Sequence, residues 1–287
     1  MLLEPRFLER LERLALAGRE RFSGLYPGEH RSRRLGSSVD FADWRPYVEG
    51  DDFRRIDYQI YARLDRLLIR MYESEDELLV RVVVDASQSM AFEGKFETAQ
   101  RLAGALAYLA ACRRDRARVW LVDEGGLQAG PWARSRDSAL TTLAWLDQKT
   151  TRGSADLAAG LHALQASGGM TGLTILVTDL LSENWEDIVR SVGGAGGEAA
   201  LLHVLSHQEI EPELTGDMLL VDSERDSTVE VSFSEQVGRA YRSRVASWLD
   251  QVSTACRQRG IRYSLIDPQV DLESLLLVDL RREGLVR

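Results

Sequence analysis

The run Leu78-Leu79-Val80-Arg81-Val82-Val83-Val84, followed at once by Asp85-Ala86-Ser87-Gln88-Ser89, decides how this chain is read. A short, nearly unbroken apolar run rich in β-branched residues reads as a strand buried on both faces, the kind a parallel sheet uses. Open parallel sheets place their sites beyond the carboxyl ends of the strands. A carboxylate at such an end, followed by two hydroxyls at alternate positions, gathers hard oxygen ligands around one divalent cation. Magnesium suits this donor set because it takes near-octahedral oxygen coordination at about 2.0–2.1 Å and keeps water. Manganese also suits carboxylate and water ligands. A site of this kind serves binding more readily than bond cleavage.

Outward from this run, apolar strands alternate with helical patterns. Phe96, Ala99, Leu102, Ala103, Leu106, Leu109 and Ala110 fall on one side of a helix over 96–112. Strands are expected at 117–122, 173–178, 199–205, 218–222 and 261–266, and helices at 138–146, 157–164, 185–192 and 235–259. Residues 125–131 hold either a short edge strand or a turn, and the leucines after Pro268 suggest a terminal helix. The expected fold class is therefore α/β, an open, mainly parallel sheet covered by helices on both faces. A second carboxylate, Asp179, ends the strand at 173–178, so two loops converge on one crevice. Gly153-Ser154-Ala155-Asp156 precedes a helix and offers a further hydroxyl or carboxylate.

The 287 residues suffice for one large or two modest domains, and 44% apolar content supports a real core. A formal charge of -9 argues against a dedicated nucleic-acid or anionic-membrane binder. Only Lys95 and Lys149 are lysines, so nearly all positive charge is arginine, whose flat fork pairs with carboxylates. Cys112 and Cys256 do not make a disulfide scaffold and read as buried helix thiols. Residues 1–21 lack the apolar stretch of an export signal, and no run has the length of a membrane span, so a cytoplasmic location is expected.

Upstream of the first strand the character changes. Residues 5–20 carry helical spacing, and residues 31–70 mix dense charge with Phe41, Trp44, Tyr47, Phe53, Tyr58 and Tyr61. That mixture predicts an ordered arm, pairing its charges while packing its rings. The domain division is thus 1–77 for the arm and 78–287 for the α/β domain. Arg45 and Arg63 are the expected fork partners for Asp51, Asp52 and Asp57, forming a cluster with Arg54 and Arg55 that pins the arm.

Asp85 to Ser89, with the alternating strands and helices, resembles the von Willebrand factor type A fold and its metal-ion-dependent adhesion site. The arm sharpens the resemblance. Arg31-Ser32-Arg33-Arg34-Leu35-Gly36, Asp40-Phe41, Arg45-Pro46-Tyr47, Gly50-Asp51-Asp52, Arg54-Arg55-Ile56-Asp57-Tyr58 and Ala62-Arg63, with Glu73 and Glu75, are similar to the signature of the domain of unknown function 58 family. The resemblance is strongest over 24–90 and looser through 179. It implies an adaptor or assembly protein acting beside a MoxR-type AAA+ ATPase. It also implies an ion held by Asp85, Ser87, Ser89 and Asp179, with a partner Asp or Glu completing the shell. One position departs from the pattern: Ala155 stands where the A-domain threonine is expected. Either Ser154 substitutes for it, or the site has lost a ligand and the protein is a metal-free scaffold.

Other functions have less support. Arg31, Arg33 and Arg34 read as surface charge, and neither zinc-ligand pairs nor an RNP-like strand accompany them. No phosphate-binding glycine loop precedes a lysine and hydroxyl, and Gly193 to Gly197 read as a turn. His203 and His207 sit at a strand end, where a spacing of four does not align side chains on one helical face. Ser87 has no paired base evident in the sequence, which leaves a magnesium-dependent hydrolase as the minor enzymatic alternative.

Overall fold

Two units carry the fold, one built from residues 1–19 and 78–287 and the other from residues 20–77. The computed structural model describes residues 2–13, 16, 39–48, 51, 53–74, 78–167, 172–194, 197–214, 216–221 and 228–286, with the backbone alone at 39–43, 55 and 70–74. The Arg31 to Gly36 run, Gly50, Asp52 and Glu75 lie outside the described residues.

Helix α1 (Pro5–Leu11) belongs to the larger unit and buries Phe7, Leu8 and Leu11. The smaller unit contains strand β1 (Val39–Pro46), a 3-10 turn (Phe53–Arg55), helix α2 (Tyr58–Leu64) and strand β2 (Leu68–Ser74). β1 and β2 pair antiparallel, with a bulge between Phe41 and Asp43. The expected arginine fork is formed by Arg45, whose two terminal nitrogens each donate to one Asp51 oxygen at 2.6 Å. That fork, with the Val48 N–H, holds the Asp51 carboxyl down at about 2. Asp57 is buried and caps α2 by accepting from the Gln59 and Ile60 N–H groups, while its other oxygen takes the Trp44 indole N–H at 3.3 Å. Arg63 lies exposed in the last turn of α2.

The larger unit is built on a six-stranded sheet. Its strands are β3 (Leu79–Asp85), β4 (Arg116–Asp123), β5 (Gly126–Ala133), β6 (Leu173–Thr178), β7 (Glu198–Val204) and β10 (Ile261–Ile266), in the order β10-β7-β6-β3-β4-β5. All neighbours run parallel except β5, which returns antiparallel to β4 at the edge. Side chains alternate between the faces, as strand geometry requires. Val80, Val82 and Val84 enter one core with helix α3 (Lys95–Cys112) and helix α4 (Arg136–Leu146). Val83, Val122 and Leu176 enter the other, with helix α5 (Leu157–Ala166), helix α6 (Trp185–Gly193) and residues Val252 and Cys256 of the long C-terminal helix.

After β7 comes the short helix α7 (His207–Ile210). Strand β8 (Gly216–Val221) is not part of the main sheet, where the sequence series had set it. It pairs with β9 (Thr228–Phe233) in a separate hairpin. Helix α8 (Glu235–Gln258) leads into β10. Beyond it, α9 (Leu272–Ser274), a π-helical stretch (Leu275–Asp279) and α10 (Leu280–Arg282) send Leu272, Leu275, Leu276 and Leu280 into the α3 core. Both cysteines are free thiols; Cys256 is buried and Cys112 only half-buried. Among the described residues no helix is long and apolar enough to cross a membrane.

Candidate functional site

β3 sends its crossover through α3 to β4 on one side, while β6 lies on its other side. The β3–β6 boundary is therefore where strand order reverses, the place at which open α/β sheets hold ligands. Register pairs Val84 with Val177, so Asp85 stands level with Thr178 at the strand tips and Asp179 follows one residue beyond. They are 3% and 2% exposed.

Each carboxylate is held by its neighbours. One Asp85 oxygen accepts the Ser87 N–H at 2.9 Å, and the other accepts the Thr178 hydroxyl at 2.7 Å. One Asp179 oxygen accepts the Leu181 N–H at 3.1 Å. The Ser87 and Ser89 hydroxyl oxygens stand 3.0 Å apart, within hydrogen-bond reach of each other. The backbone is strained here: Leu180 has a φ of +50°, and its N–H is tied to the Thr178 hydroxyl.

The loop before α5 is stitched to the Asp85–Ser89 loop through its backbone. The Gln88 N–H donates to the Gly153 carbonyl at 2.7 Å, and the Arg152 N–H donates to the Ala86 carbonyl at 2.8 Å. Gly153 adopts a φ of +52°. Ala155 packs against the second core, whereas Ser154 is exposed. Asp156 caps α5 through the Ala159 N–H.

Lys95, at the first turn of α3, is a residue that motif reading missed. It is fully buried, and its Nζ donates to Asp179 at 2.7 Å and to Glu209 at 2.5 Å. Glu209 in turn closes a capping box with Ser206 at the start of α7. Its carbonyl accepts the Tyr241 hydroxyl at 2.7 Å. The signal was in the composition: a lysine in a chain that otherwise uses arginine.

Two carboxylates, Asp179 and Glu209, thus meet one ammonium, and Asp85 is buried nearby without a cation of its own among the described residues. Burial, and then the Asp179 charge, push the Asp85 carboxyl up to about 6. His203 underlies Asp179. Its Nε2 is 2.9 Å from the Asp179 carbonyl and must donate there, which leaves Nδ1 to accept from the Tyr263 hydroxyl at 3.0 Å. Burial takes this imidazole down to about 4, so it stays neutral. His207 is exposed on α7, and the two histidines do not form a ligand pair.

The donor set fits a small hard cation. Adjacent oxygens of a magnesium shell of about 2.0–2.1 Å radius lie roughly 3 Å apart, the spacing of the two serine hydroxyls. Among the described residues no group of three or more His, Cys, Asp or Glu side chains is placed to hold a metal. The fit therefore depends on hydroxyls as much as on carboxylates.

A mainly parallel sheet of this order, flanked by helices on both faces, is the α/β architecture that the resemblance to the von Willebrand factor type A fold leads one to expect. The chain belongs to the family described as "Protein of unknown function DUF58", whose model matches residues 43–249. It is similar to the uncharacterized protein Rv1480 of Mycobacterium tuberculosis, 25% identical over 249 residues that cover 83% of this chain and 78% of the relative. Among solved structures it is similar to the conserved hypothetical protein BatB from Bacteroides thetaiotaomicron, with 13% identity, a TM-score of 0.43 and coverage of 72% of this chain and 98% of that one. A von Willebrand factor type A protein from Catenulispora acidiphila gives 13% identity, a TM-score of 0.40 and coverage of 76% and 43%.

Proposed function

We propose that the crevice at the β3 and β6 tips is a protein-docking site of the metal-ion-dependent adhesion kind. Asp85, Ser87 and Ser89 would hold Mg2+ (or Mn2+), with Asp179 in direct or water-mediated contact and Ser154 as the hydroxyl donor of the third loop. Bound there, the ion supplies a positive centre with an open position for a partner's Asp or Glu. The protein's own residues orient that contact: Thr178 and the Ser87 N–H fix Asp85, and Lys95 fixes Asp179. The observation that carries the reading is the pair of serine hydroxyls 3.0 Å apart beside two buried carboxylates. The same two loops expose Phe92 and Leu181, apolar surface suited to a protein contact around an ionic centre. A MoxR-type AAA+ ATPase is the partner that the family resemblance implies.

Catalysis has less support. Ser87 Oγ meets the Ser89 hydroxyl and the Asp85 carboxyl, with no histidine beside it, and both His203 nitrogens are engaged elsewhere. A second reading is favoured by one observation: Lys95 already supplies a fixed cation at Asp179. In that case the surface docks a partner without metal.

Calorimetric titration of Mg2+ into the purified protein separates the two readings, together with metal-dependent pull-down of the ATPase. The ion-mediated reading expects saturable binding lost in D85A, and partner recovery lost with chelator. Equal recovery with magnesium, with chelator and in D85A would reject it in favour of metal-free docking.

A further inference from the structure

We infer a second docking surface, for an acidic polypeptide segment, at the opposite end of β4 and β5. Register sets Arg118 opposite Trp132, and Arg116 precedes Arg118 on the same face of the sheet. The guanidinium carbons of Arg116, Arg118 and Arg134 lie 4.9, 5.1 and 5.4 Å from the centre of the Trp132 ring. Arg118 also reaches Trp120, at 5.6 Å, and its Nε donates to the Gly130 carbonyl at 2.7 Å, which fixes its fork. Trp120 meets Trp132 edge-on. Among the described residues neither Arg118 nor Arg134 is ion-paired.

Arg118 and Arg134 bring two like charges to one half-buried indole. In a chain of net charge -9 their concentration on one face is complementary to carboxylates, which an arginine fork takes bidentately. Register aligns Arg116 with Leu79 and Val122 with Asp85. Arg116 and Arg118 are therefore six and four residues along β4 from the carboxylate crevice, roughly 20 and 13 Å at about 3.3 Å per residue. Strand addition is not the binding mode, because Pro131 in the edge strand β5 has no N–H to offer. Side chains do the holding. A polyanionic nucleic acid is disfavoured by the acidic remainder of the molecule, whereas a short run of Asp and Glu needs only this patch.

The test is fluorescence anisotropy of labelled octaglutamate with the full chain at low salt. Chelator is present so that the metal crevice contributes nothing. Saturable binding is expected to weaken at least about tenfold in the R118Q/R134Q double variant and to weaken with added salt. Three results overturn the assignment: no saturable binding by the wild type, equal affinity in the double variant, or tighter binding of labelled octathymidylate. Arg134 is exposed, so R134Q alone decides if the double variant loses its fold. About threefold weakening is then expected, and unchanged affinity rejects the surface.

Discussion

Lys95 is fully buried, with its ammonium held by two carboxylates. Replacing it with methionine keeps its volume but leaves Asp179 and Glu209 uncompensated. Removing one partner of a buried ion pair typically costs about 3–5 kcal/mol, so K95M should unfold at clearly lower urea. An unchanged midpoint would show that the ammonium is not needed. Asp85 and His203 act on stability in opposite senses. The Asp85 carboxyl, raised to about 6 in the fold, ionises first in the unfolded chain. Its contribution therefore falls as pH rises from about 4 to 6. The His203 imidazole, lowered to about 4, takes its proton first in the unfolded chain as pH drops below about 6.5. Its contribution rises with pH over nearly the same window. The two slopes oppose each other in the wild type. In D85N, with metal chelated, the histidine slope is left, so stability relative to wild type should climb as pH rises from about 4 to 6. Parallel pH profiles for the two proteins would contradict this assignment.

At the scale of elements, the loops rest on backbone conformations that side-chain chemistry does not advertise. Gly153 combines a φ of +52° with a crowded position, where an added Cβ would meet Glu124 Oε2 at 2.2 Å. Its carbonyl also holds the Gln88 N–H. If the proposed Mg2+ site is formed, G153A should displace this loop and weaken that binding at least tenfold in calorimetry, with a fold retained by circular dichroism. Equal affinity would detach the loop from the site. The buried strands β3, β6 and β7 were legible because branched apolar residues fill both of their faces. Residues 126–133 were legible only as an edge strand or a turn, since Gly126, Gly130 and Pro131 interrupt the pattern of what proves to be the edge strand. β9 has a clear alternation, Thr228-Val229-Glu230-Val231-Ser232-Phe233, but was overlooked because it is exposed and pairs outside the main sheet. Of the site, Asp85, Ser87, Ser89 and Asp179 follow from strand ends. Lys95 and Glu209 do not, because a charged residue in a first helical turn ordinarily faces water and only three-dimensional packing closes over it.

Over the whole molecule, the larger unit is discontinuous in sequence. Leu3, Phe7, Leu8 and Leu11 complete the core on the α3 side, and Leu16 bridges to Val286. Each such buried side chain is worth about 1.5–3 kcal/mol. A chain starting at Leu78 should therefore melt well below the full chain in calorimetry, and the same melting temperature would show that the first helix is dispensable. The scarcity of lysine has one more consequence. Apart from the α-amine, the chain offers an acylating reagent two primary amines; Lys149 is half-buried over Trp145, and Lys95 is sealed within the crevice. A succinimidyl ester should modify Lys149 at once and Lys95 only when the cleft breathes open, so the slow phase of the labelling reaction becomes a stopwatch for that opening.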